Sequence, residues 1–142
     1  MKEAVNEAVE VFFEDTLGYK LEKAKTAGSG FYGTSISLYE DGDEKNWYLF
    51  FKEDTLRKIA QVLLFEDNLN KDEFIDLLEE VANQIIGTAK VKLEEKNKNK
   101  TYKLGTPEFL GDTLTPTYFK PEKSMLYKVK NRTFLISMDI EH

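Results

Sequence analysis

In Asn70-Lys71-Asp72-Glu73-Phe74-Ile75-Asp76-Leu77-Leu78-Glu79-Glu80-Val81-Ala82-Asn83-Gln84-Ile85-Ile86-Gly87, apolar and polar residues recur with the period of an α-helix and fall on opposite sides. The start is well marked: Asn70 can cap, and Glu73, three residues on, can complete a capping box before Phe74. Each residue turns the helix by about 100°. With Asp76 at zero, Glu80 lies at about +40°, Asn83 at about −20° and Gly87 at about +20°. Phe74, Leu77, Leu78, Val81 and Ile85 fall between roughly 100° and 200° on the same scale. The apolar set therefore anchors the helix, and the strip Asp76–Glu80–Asn83–Gly87 is expected to face outward. Ile75 and Ile86 flank it, as shoulders of the core or as an apolar rim. Asp76 or Glu80 alone is ordinary surface decoration. Asn83 and Gly87 are less comfortable, because inside a helix they cost roughly 0.5–0.7 and about 1 kcal/mol against alanine. Two unfavourable residues on one exposed strip suggest that something approaches closely there, although Gly87 also suits the preparation of a helix end.

Working outward, this helix should run to about Thr88 or Lys92, with Glu94–Lys100 a solvated loop. Before it, Leu56, Ile59, Ala60, Leu63 and Leu64 make the stripe of another helix, beginning near Asp54 as N-cap and ending by Glu66. Earlier still, Phe31–Tyr39 and Trp47–Phe51 form a hairpin across Glu40-Asp41-Gly42-Asp43, and Lys20–Thr26 is a candidate strand. Val5, Ala8, Val9, Phe12 and Phe13 mark an amphipathic first helix over Lys2–Leu17, with Gly18 where a left-handed cap belongs. Pro107, Pro116 and Pro121 disfavour long helices in the last third. Strands are expected there at Tyr102–Leu104, Thr115–Phe119, Met125–Val129 and Thr133–Ile140, with a turn at Lys130-Asn131-Arg132. Helices and strands mix without a regular βαβ alternation, which predicts an α+β fold: a mostly antiparallel sheet with helices packed on one side. At 142 residues and with no internal linker, a single domain over 1–142 is expected.

Composition narrows the chemistry. There is no cysteine, and the single histidine is His142, so disulfides, thiolate sites, cysteine nucleophiles and Ser-His-Asp chemistry drop out. A net charge of −6 opposes a polyanion, so nucleic acid is a poor partner. The longest apolar runs, such as Trp47–Phe51, fall far short of the ~20 residues that span a bilayer. No signal segment is visible at the amino terminus. The chain reads as cytoplasmic, without membrane insertion, and equipped with carboxylates, amides, hydroxyls and lysines.

The pattern Asp76-x-x-x-Glu80-x-x-Asn83, followed by Gly87 and Lys90, resembles the signature helix of the CheC/CheX/FliY family of chemotaxis phosphatases. Leu49-Phe50-Phe51-Lys52-Glu53, leading into the Leu56–Leu64 helix, resembles the strand and helix that precede the signature in that family. Ala8-x-x-x-Phe12-Phe13-Glu14-x-x-Leu17-Gly18 resembles the first helix of the CheX branch. Glu3-x-x-Asn6 repeats the short motif but lacks the flanking Asp and Gly, and is weighed as helix-start decoration or a second site.

The resemblance implies a CheX-like domain that dephosphorylates a phosphorylated CheY-like response regulator. Glu80 and Asn83 would be catalytic, Glu80 pairing with the regulator's active-site lysine and Asn83 orienting the in-line water. Asp76 and Gly87 would contact the partner. Mg2+ would belong to the regulator, with no cofactor or metal on this chain, and relatives imply a homodimer paired through sheet edges. Elementary chemistry agrees with the division of labour. A carboxamide can hold a water yet has no proton that titrates near neutrality, and phosphoryl transfer needs mainly positioning and charge stabilisation. Two other readings stay open: a non-catalytic CheX-like adaptor that binds a regulator or motor component, and a sensor of a small ligand at the aromatic-rich sheet of Phe31, Tyr32, Trp47, Tyr48 and Phe50.

Overall fold

The computed structural model describes residues 1–116 and 123–138. The chain runs α1 (Lys2–Glu10), a wide π turn (Val11–Thr16), β1 (Glu22–Lys23), β2 (Phe31–Glu40), β3 (Asp43–Lys52), α2 (Glu53–Leu63), α3 (Lys71–Lys96), β4 (Tyr102–Leu104), β5 (Glu108–Leu114), β6 (Ser124–Val129) and β7 (Arg132–Met138). The strands form one seven-stranded sheet in the order β1-β6-β7-β3-β2-β4, with β5 also paired to β2. Every pairing among the described residues is antiparallel.

The period of two assigns the faces. Thr34 pairs with Leu49 and Ile36 with Trp47; Leu49 continues to Ile136, and Ile136 to Met125, so one buried row crosses four strands. A second row is aromatic: Phe51 stacks on Phe134 at 4.9 Å and Phe134 on Tyr127 at 5.0 Å, while Phe13 of the π turn lies 4.7 Å above Phe134. All three helices contribute buried apolar residues to the core on this face. The α+β architecture with one helical layer is therefore the one the sequence predicts. Phe31, Phe50 and Leu135 make a smaller cluster apart from this core, with Tyr48, Leu114 and Leu126 against it. Phe31, Trp47 and Phe50 are buried in packing, Tyr32 and Tyr48 half-buried. These aromatics fill the sheet.

The turns obey local chemistry. Asp41 and Gly42 both have positive φ, as do Lys130 and Asn131, which matches two-residue hairpin turns twisted like their strands. Several boundaries differ from expectation for identifiable reasons. The first helix changes to π geometry at Val11, and its cap is Gly18 at φ 74° as expected. Helix α2 begins at Glu53 with no side-chain cap, and Asp54 instead accepts from Arg132 Nε at 3.0 Å. The Lys20–Thr26 strand shrinks to Glu22–Lys23. A strand not expected from sequence, β5, holds the edge of β2 through a register shift near Gly111, whose φ is 143°. Of the expected strand Thr115–Phe119, Thr115 and Pro116 lie outside any strand and the rest lies outside the described residues. The last two residues of Thr133–Ile140 and His142 also lie outside them.

Candidate functional site

Helix α3 carries the site, and its start is fixed as predicted. Asn70 Oδ1 accepts from the Glu73 backbone N–H at 2.9 Å, while Glu73 Oε1 accepts from the Asn70 N–H at 3.0 Å. The reciprocal pair satisfies two donors that the first turn leaves open. Lys71 reaches Asp112 on β5 at 3.1 Å, and the Phe74 ring lies 6.0 Å from Tyr32 on β2, which ties the helix start to the sheet edge. Phe74, Leu77, Leu78, Val81 and Ile85 are all buried, and Ile86 joins them as a core shoulder. The helix continues past the expected end to Lys96. Leu93 is buried there, Lys92 and Lys96 both reach Glu7 of α1, and Asn97 Nδ2 closes the end on the Leu93 carbonyl at 3.2 Å. A purely compositional reading misses these tertiary partners.

The outward strip is graded. Asp76 and Glu80 are exposed, while Asn83 and Gly87 are half-buried. At Gly87 the cover is β4: a Cβ built there would meet Leu104 Cδ2 at 3.7 Å, an ordinary contact that an alanine could make. Glu80 Oε1 accepts from Gln84 Nε2 at 3.1 Å, one turn along the helix. The spacing of four between Glu80 and Gln84 is the sequence signal for this bond. The amide of Asn83 has no hydrogen-bond partner among the described residues. Lys90, one turn beyond Ile86, pairs with Glu94 at 3.0 Å. Beside the strip, partial burial and then the charge of Asp76 raise the Glu79 carboxyl above its ordinary value.

A groove of ≈ 560 Å³ runs along the first half of the strip. Leu64, Glu66 and Leu69 of the α2–α3 loop line one side, and Glu73, Asp76, Leu77 and Glu80 of α3 the other. Next to it stands Phe65, 89% exposed at φ 56°.

The second Glu-x-x-Asn pair is differently placed. Asn6 Oδ1 accepts from the Tyr127 hydroxyl and from Lys23 Nζ at 3.2 Å, and its amide donates to Glu10 at 3.0 Å. Lys23 also lies 4.4 Å above the Tyr127 ring. Burial, with Glu10 adding to it, holds the Tyr127 phenol well above its usual range, so it remains a donor. Asn6 is a strut between α1 and the sheet. Among the described residues no cluster of three or more His, Cys, Asp or Glu could hold a metal ion, and no helix is long and apolar enough to cross a membrane.

This geometry defines a class: an α+β domain whose single helical layer presents a carboxylate and a carboxamide, the latter without a partner among the described residues, one turn apart along its outer side. Residues 33–128 match the family model described as chemotaxis phosphatase CheX, and the chain belongs to that family. No curated protein matches the sequence. Among solved structures, CheX from Vibrio vulnificus is similar with a TM-score of 0.76 at 19% identity, covering 98% of this chain and 95% of that one. The CheX-CheY-BeF3-Mg+2 complex from Borrelia burgdorferi gives 0.71 at 16% identity, covering 99% and 96%. FliY from Thermotoga maritima gives 0.52 at 18% identity over 94% of this chain and 82% of that one. The likeness in fold is closer to the CheX branch.

Proposed function

We propose that this chain, as a single CheX-like domain over residues 1–142, hydrolyses the phospho-aspartate of a CheY-like response regulator in the cytoplasm. The observation that carries the reading is that exposed Glu80 and Asn83, whose amide has no partner among the described residues, share one side of α3 in a member of the CheX family. That a CheX from Borrelia burgdorferi was crystallised with CheY, BeF3 and Mg2+ supports the choice of partner.

In this mechanism the Asp76–Gly87 face docks at the phosphorylation site. Glu80, steadied by Gln84 through one oxygen, keeps the other for the regulator's active-site lysine, fixing the register. Asn83 accepts from and donates to a water, holding it in line with the phosphorus atom. The water attacks phosphorus, the bond from phosphorus to the aspartyl oxygen breaks, and inorganic phosphate leaves with a free aspartate. No strong base is needed, because the transition state is loose and little charge builds on the water. Mg2+ on the regulator neutralises the phosphoryl oxygens. Asp76 and Gly87 contact the partner, and the functional unit is a homodimer, which sedimentation checks.

The test mixes the protein with a phosphorylated CheY-like regulator and follows loss of phosphate. Wild type accelerates the loss and Asn83→Ala does not. Binding with an unchanged phosphate lifetime would make the chain an adaptor instead.

A further inference from the structure

The loop between α2 and α3 places a bulky aromatic residue where α2 ends in a left-handed turn. Phe65 takes a left-handed backbone conformation that bulky side chains rarely adopt, and it leaves its ring 89% exposed. Its neighbour Leu64 is 49% exposed. The backbone is held by the end of α2, where the Glu66 N–H reaches back to the Ala60 carbonyl at 3.5 Å, and it is the uncovered ring beside an exposed leucine that marks a contact made with another molecule.

The adjoining groove says what kind. Its apolar members are Leu64, Leu69 and Leu77, and its charged members, Glu66, Glu73, Asp76 and Glu80, are all acidic. No cation lines the groove: Lys71 pairs with Asp112, and Arg57 with Glu53, the Asp67 carbonyl and the Phe74 ring. Asp76 and Glu80 belong both to this groove and to the docking strip, so the two surfaces are continuous.

We propose that Phe65 and this groove form a specificity contact for the regulator, receiving a surface segment beside its phosphorylation site that presents an apolar side chain bordered by lysine or arginine. The inference rests on the regulator-docking reading above and adds which residues choose among regulators. Phe65 is an aromatic anchor at the rim of the interface, and the carboxylates steer the approach of a basic surface. Phe65 and Glu66 take no part in the chemistry, which stays with Glu80 and Asn83.

The experiment measures binding of beryllofluoride-bound CheY-like receiver domains and, separately, steady-state hydrolysis of their phosphorylated forms. Phe65→Asn keeps the backbone comfortable while removing the ring. It should weaken receiver binding and raise KM about tenfold, leave kcat within about twofold, and not lower the melting temperature. Glu66→Lys should weaken binding severalfold and flatten its dependence on salt. Unchanged affinity in Phe65→Asn, or a loss confined to kcat, overturns the proposal. If wild type binds receivers without hastening dephosphorylation, the phosphatase reading fails, and the Phe65→Asn binding comparison still decides this one. If wild type binds no receiver, both fall. If Phe65→Asn instead converts a dimer to a monomer at unchanged receiver affinity, the patch joins two copies of the chain and the specificity contact is wrong.

Discussion

Helices α1 and α3 each carry Glu-x-x-Asn, and the two asparagines live in opposite circumstances. Asn6 is surrounded by donors and acceptors of its own chain: Tyr127, Lys23 and Glu10 occupy its carboxamide at both ends. Asn83, half-buried on α3, keeps its carboxamide uncommitted among the described residues. The same three-residue spacing thus yields a structural strut in one helix and a candidate water-binding group in the other. Spacing sets direction along a helix; the neighbours across the gap set availability.

The contrast can be broken most severely at Asn83. Asn83→Ala should reduce the acceleration of phosphate loss by on the order of 100-fold, with no loss of melting temperature, since alanine is the better helix former. Phosphate-release kinetics beside calorimetry would show both. Asn6→Ala should do the reverse. It leaves the buried Tyr127 hydroxyl short of its acceptor, costing about 2 kcal/mol and lowering the melting temperature by roughly 4–8 °C, while turnover stays as in wild type. An Asn6→Ala variant that folds well and loses activity would erase the distinction between the helices.

Gly87→Ala sharpens the comparison at the end of the strip. Its Cβ meets Leu104 at an ordinary distance, so the helix should gain about 1 kcal/mol. A fall in regulator affinity alongside that gain would mark Gly87 as a docking position; unchanged affinity would make it a packing detail against β4. The smallest effect is expected at Glu79. Folding raises its affinity for a proton, so its stabilising contribution is present below the ordinary carboxylate pKa and lost as pH rises through the raised value. At pH 7 the charged form is a net cost. Glu79→Gln should stabilise by no more than about 0.5 kcal/mol, and thermal melts should show the gap to wild type closing as pH falls toward about 4.

Much of this was readable in advance because the informative signals were local. The capping box of Asn70 and Glu73, the inward stripe from Phe74 to Ile85 and the hairpin around Asp41-Gly42 depend on residues a few positions apart. The features that escaped depend on partners far away in sequence. Continuation of α3 to Lys96 is supported by Glu7 on α1, and the half-burial of Gly87 by Leu104. Asp54 is drawn out of a capping role by Arg132, and β5 survives Pro107 and Gly111 because β2 offers it an edge. In the site, the direction of Glu80 was legible, but Gln84 holding one of its oxygens and the lack of a partner for the Asn83 carboxamide among the described residues required coordinates.

The wide turn at Val11–Thr16 has a consequence of its own. Neighbours in a regular helix diverge by about 100°, yet Phe12 and Phe13 are both buried, their rings 5.1 Å apart edge to face. A π turn of this kind accommodates one residue more than the regular spiral would. Excising a single residue there would restore regularity and evict one ring, so the segment behaves as a spacer that trades helical order for a second aromatic key, Phe12, set edge-on to the Phe13 that covers Phe134.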